Sequence, residues 1–114
     1  MRALLDVNIL IALLDIDHPF HNRAHAWWGS NKDFGWASCA ITENAVPRIM
    51  GNPNYRKTGR FSPAAVIGAL EIFCSKTDHE FWHDDISLRD EKLFVRHHLL
   101  SSSPLTDIYL LALA

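Results

Sequence analysis

The sequence predicts an α/β domain, a short parallel sheet with helices on both faces. Three observations carry this. Short apolar runs alternate along the chain with longer segments of helical periodicity. The first run, around Leu4 and Leu5, is apolar at consecutive positions, as in a strand buried on both faces. The pairs Ser62-Pro63 and Ser103-Pro104 each join a capping hydroxyl to a proline at the first helical position.

The elements follow in order. Residues 2–7 read as a buried strand and residues 8–14 as the helix after it. Asp17-His18-Pro19 makes a turn, and residues 20–29 carry a helical pattern with Ala24, Trp27 and Trp28 on one side. A second strand is expected over 34–38. A helix follows over 40–50, with Pro47 removing one backbone bond inside it. Residues 51–60 form a polar loop. A helix runs from 64 to about 76, and residues 80–83 look like a third strand. Ser87-Leu88-Arg89-Asp90 opens another helix as an approximate capping box, and a last helix spans 105–114. That helix stops in an apolar pattern with no glycine and no basic last turn. The expectation is therefore a single domain over residues 1–114 that is incomplete at its C-terminus.

Composition narrows the function. Of 114 residues, 48% are apolar, enough for a core, yet no apolar run approaches the ~20 residues a membrane span needs. A cytoplasmic protein without membrane contact is expected. Cys39 and Cys74 lack metal-site spacing and read as free thiols in apolar surroundings. The net charge of −2 counts against a passive nucleic-acid binder, which usually shows a basic excess. It does not count against a nuclease, where metal-holding carboxylates offset phosphate-holding cations.

Three acids sit at strand ends or helix starts. Asp6 closes the first strand, with Asn8 two residues later; Glu43 lies in the first turns of the helix over 40–50; Asp107 follows Thr106 at the start of the last helix. Ligands of open parallel sheets bind outside the carboxyl ends of the strands, so acids distant in sequence can meet there. Each acid also has a plainer reading: Asp6 or Asn8 as a helix cap, Glu43 and Asp107 as first-turn acids favoured by the helix dipole. Asp6 follows Leu4-Leu5 in a strand expected to be buried, where an unpaired charge is costly and a metal ion would compensate it.

Four segments together resemble PIN-domain ribonuclease toxins of the VapC family. They are Leu4-Leu5-Asp6-Val7-Asn8-Ile9-Leu10, Ile41-Thr42-Glu43-Asn44 with Arg48 and Asn52-Pro53 beyond it, Phe81-Trp82-His83-Asp84-Asp85-Ile86, and Leu105-Thr106-Asp107-Ile108-Tyr109. The resemblance covers nearly the whole chain in order. It implies a three-layer PIN-like fold and a Mg2+- or Mn2+-dependent endoribonuclease that cleaves RNA, arrests translation and is held inactive by a cognate antitoxin; a homodimer is expected with it. It puts the family's first three acids on Asp6, Glu43 and Asp107, and the small polar residues beside them on Asn8 and Thr106. Asp6 and Asp107 would contact metal, with Glu43 binding directly or through water. The family's fourth acid lies on a strand after the Asp107 helix that this sequence does not reach, and Asp84 and Asp85 are the remaining acids that could replace it. A truncated, catalytically dead toxin that binds antitoxin or dimerises is the alternative.

His79-Glu80-Phe81-Trp82-His83 spells a zinc-protease motif. That motif needs a helix, where the two histidines are ~6 Å apart; on a strand they would be ~13 Å apart. The aromatic character and flanking acids favour a strand. His18, His21 and His25 read as solvated surface histidines. Arg56, Lys57 and Arg60, with Arg48 before them, form a basic cluster that is either a solvated loop or a phosphate-binding patch for RNA.

Overall fold

A computed structural model of the chain describes residues 2–83, 86, 89 and 90. The expected helices after residue 87, with Thr106 and Asp107, and the acids Asp84 and Asp85 lie outside these residues. The described elements are β1 (Ala3–Leu4), α1 (Val7–Leu14), α2 (His21–Asn31), a 3-10 turn (Lys32–Phe34), β2 (Trp36–Ser38), α3 (Ala40–Met50), α4 (Pro63–Lys76) and β3 (His79–Phe81). The strands are all parallel, in the order β1-β2-β3. This small parallel sheet flanked by four helices is the α/β, PIN-like architecture that the alternating pattern predicts.

The strands are shorter than their apolar runs suggest, for local reasons. β1 gives way at Asp6, whose extended backbone (φ −67°, ψ 152°) makes it the N-cap of α1. β2 begins two residues later than expected because Phe34 closes the 3-10 turn and Gly35 follows at φ +75°. A Cβ on Gly35 would lie 2.5 Å from the Arg2 guanidinium, so that approach also requires glycine. β3 starts at His79, one residue early, and ends at Phe81. α3 runs through Pro47 without ending, and the proline ring is buried.

Arg2 ties the amino ends of the strands together. Its guanidinium donates to the carbonyls of Trp36 (3.0 Å) and Asp78 (2.9 Å) and pairs with the carboxylates of Asp78 and Glu80, each at 2.9 Å. Behind the sheet, Leu5, Leu10, Trp36, Val46, Val66 and Leu70 are buried in one cluster. Trp36 is its largest member. Its ring lies against Phe73 (5.2 Å between centroids) and His79 (4.5 Å), and its Nε1 donates to Thr77 Oγ1 at 2.8 Å. Trp28 packs on Phe73 at 5.2 Å, whereas Trp27 is 38% exposed. Cys39 is buried, Cys74 half-buried, and both are free thiols.

Two of the histidines expected to be solvated also reach the end of α1, His21 half-buried and His25 still exposed. His21 Nδ1 lies 2.7 Å from the carbonyl of Ala12 and His25 Nε2 lies 3.3 Å from that of Leu13. These are last-turn carbonyls of α1, which have no partner within the helix. The spacing 21–25 places both rings on one face of α2, a side-chain cap that only the packing of two helices reveals.

Asp15, after α1, is only 5% exposed. Its carboxylate accepts the Tyr55 hydroxyl (2.6 Å) and the Asp17 amide (3.0 Å). Tyr55→Phe should cost about 1–3 kcal/mol in urea denaturation by leaving a buried carboxylate oxygen underserved. Burial, then the hydrogen bond to Asp15, pushes the Tyr55 pKa above its ordinary value. The folded protein thus keeps a proton that the unfolded chain releases near pH ~10. Stability should fall as pH rises past that point, and Tyr55→Phe should flatten the decline.

Candidate active site

Parallel strands bring their carboxyl ends to one edge, where Asp6 and Glu43 enter. In register, Leu4 faces Ala37 across β1 and β2, and the Leu5 amide still donates to the Ala37 carbonyl at 3.1 Å. Asp6, two residues beyond Leu4, therefore leaves β1 just past the level at which β2 ends, at the same edge of the sheet. It is half-buried. Although it occupies the N-cap position, its carboxylate makes no cap bond to α1 and so is not consumed by the plainer role.

Glu43 arrives from the first turn of α3. That helix starts where it does because Cys39 and Thr42 cap it reciprocally: the Thr42 hydroxyl accepts the Cys39 amide at 3.0 Å. Glu43 is thereby turned back over β2, and its Oε2 accepts a hydrogen bond from the Ser38 hydroxyl. Ser38 is fully buried, and its oxygen also lies 2.7 Å from His79 Nε2 on β3. Burial holds the His79 pKa below its ordinary value, partly countered by the Glu43 charge. The same burial, reinforced by Glu43 and Glu71, pushes the Cys74 thiol up to about 11. Cys74 is thus a weak nucleophile at neutral pH.

Two of the three candidate acids, Asp6 and Glu43, stand at the same edge of the sheet. Asp107 and its neighbour Thr106 lie outside the described residues. Among the described residues, no group of three His, Cys, Asp or Glu side chains is arranged to hold a metal ion. Asn8 is exposed on the first turn of α1 and lines a groove toward α2 with Phe20 and Trp27.

The basic cluster stands apart from this edge. Gly51 lies eight residues beyond Glu43 at the far end of α3, a rise of ~12 Å, and the loop 51–60 starts there. Arg56 is engaged at that end: it pairs with Asp17 at 2.8 Å and lies over the Phe61 ring at 5.1 Å. Arg60 donates to the Arg56 carbonyl at 3.3 Å, while Arg48 and Lys57 are exposed. The helix carries the loop away from the strand ends.

The zinc-protease spelling at residues 79–83 meets a strand rather than a helix, since His79–Phe81 is β3. His79 is instead spent on Ser38. Ser38 and His79 are the site members that sequence reasoning missed. The one available signal was a serine at a strand end five residues before Glu43.

Comparison with known proteins gives a consistent result. The chain is 47% identical over 117 residues to "Ribonuclease VapC44" of Mycobacterium tuberculosis, an alignment covering 100% of this chain and 79% of that protein. It is 37% identical over 114 residues to "Ribonuclease VapC39" of the same organism, covering 100% of this chain and 81% of the relative. With "Ribonuclease VapC38" the identity is 35%, over 98% of this chain and 77% of the other. No protein-family model matches the chain.

Proposed function

This chain belongs to the VapC ribonuclease family, and from that premise we propose that it is a metal-dependent endoribonuclease toxin. In this reading a cognate antitoxin neutralises it, and its cleavage of RNA inhibits translation in the cytoplasm. The observation that supports the catalytic part is that Asp6 and Glu43 each follow a strand end at the carboxyl edge of the sheet, with the Asp6 side chain making no cap bond to its helix.

The donors fit a hard divalent cation. Both are carboxylates, oxygen ligands of the kind Mg2+ and Mn2+ prefer, and a Mg2+ ion keeps several waters, so two or three protein ligands suffice. Asp6 and Asp107 would hold the ion, the second on the strength of the resemblance, with Glu43 binding directly or through water. When bound, such an ion offsets phosphate charge and favours deprotonation of water. Glu43 would orient the attacking water in line with the scissile phosphate, while Asn8 and Thr106 support the carboxylates. The exposed cations Arg48, Lys57 and Arg60 would meet RNA phosphates away from the scissile bond, with Arg56 joining them if it leaves Asp17. A homodimer is part of the same reading.

The test is RNA cleavage by the purified chain with Mg2+ or Mn2+, with EDTA, and with added antitoxin. Cleavage that needs metal and is blocked by antitoxin is expected. Activity that survives EDTA would remove the metal, and antitoxin binding without any cleavage would establish the non-catalytic module instead. Raising salt from 50 to 200 mM should weaken RNA binding roughly tenfold or more if a few phosphate contacts are made.

A further inference from the structure

We propose that Ser38 and His79 are positioning residues that hold the Glu43 carboxylate for the reaction, through the hydrogen-bonded chain His79–Ser38–Glu43 across β3, β2 and α3. The inference deepens the nuclease reading and rests on it.

The proton count sets the direction of the chain. An ionised carboxylate only accepts hydrogen bonds, so the single Ser38 hydroxyl proton goes to Glu43 Oε2. The Ser38 oxygen is then left to accept, and the Nε2–H tautomer of His79 supplies that bond at 2.7 Å. A neutral ring suffices, which agrees with the downward shift that burial gives His79.

The chain is anchored at its far end. The His79 ring lies 4.5 Å from the buried Trp36 ring; Trp36 Nε1 donates to Thr77 Oγ1 at 2.8 Å, and Thr77 donates to the Phe73 carbonyl at 2.6 Å. Ser38 is fully buried. A carboxylate on a first-turn glutamate would otherwise sample several rotamers. Here one oxygen is fixed from the core, and the other makes no hydrogen bond among the described residues. Partners that orient a ligand in this way commonly change metal affinity or activity by ~10–100-fold when removed.

Four variants, Ser38→Ala, Ser38→Thr, His79→Leu and His79→Gln, test the proposal. Each is measured for melting temperature without metal, for the Mn2+ concentration that half-saturates thermal stabilisation, and for kcat and KM on an RNA substrate. Glutamine keeps an N–H donor near the position of His79 Nε2; leucine does not. Ser38→Ala and His79→Leu should raise the Mn2+ midpoint and lower kcat by ~10-fold or more, with KM within about twofold. His79→Gln and Ser38→Thr should recover most of both. Equal Mn2+ midpoints and kcat values for His79→Leu, His79→Gln and the parent would overturn the positioning role, as would losses in every variant that track melting temperature alone. If the parent is stabilised by Mn2+ but cleaves no RNA, the nuclease reading falls and the midpoints still decide the positioning role. A parent that neither cleaves nor responds to Mn2+ overturns both.

Discussion

Asp6→Asn is expected to lower RNA cleavage by at least ~100-fold while leaving the metal-free fold intact. The carboxylate closes β1 at the carboxyl edge of the sheet and makes no cap bond to the helix it precedes, so its loss costs that helix no cap. Asparagine has nearly the same shape and is itself a good N-cap, which keeps α1 in place. What disappears is a negative charge and a strong cation ligand. The melting temperature without metal should hold or rise slightly, because clustered carboxylates repel one another. The stabilisation that Mg2+ or Mn2+ gives the parent should vanish, since it comes from binding to the folded state. Thermal melts with and without metal, alongside RNA cleavage, check both halves. A mutant that responds to metal and cleaves RNA like the parent would remove Asp6 from the site.

Trp36→Ala should cause the largest loss of stability, about 3–5 kcal/mol. Trp36 is wholly buried at the start of β2, where it packs against Phe73 and His79 and anchors Thr77. Alanine there leaves a cavity among groups held by two strands and a helix, and little of it can close. Against a typical total of 5–15 kcal/mol, this loss brings a small domain close to unfolding. The melting temperature should drop by ~12 °C or more. Trp36→Phe should cost less, since it keeps one ring in the core and loses the second ring with the bond to Thr77. A urea series on the three proteins measures the order, and an alanine variant within about 1 kcal/mol of the parent would show that the core is not organised around this residue.

The sequence by itself determined the class of fold and most helix positions, and it named Asp6 and Glu43 as candidates. Those features have local causes. Ser62 caps α4 before Pro63 and accepts the Ala65 amide at 3.1 Å, as its dipeptide implies. Buried parallel strands announce themselves as apolar runs, and an acid directly after one, such as Asp6, marks where the run ends. Tertiary structure decided the rest because the causes are distant in sequence. β1 stops at Leu4 because the backbone of Asp6 takes the N-cap position of a helix, which an apolar run cannot foretell. His21 and His25 found the open carbonyls of α1 only once α2 had packed on it. The spelling of the loop does not say where its cations go; α3 carries the loop away from Glu43, and Arg56 pairs with Asp17. The link from His79 to Ser38 joins residues 41 positions apart, and only the pairing of β2 with β3 brings them within hydrogen-bond reach.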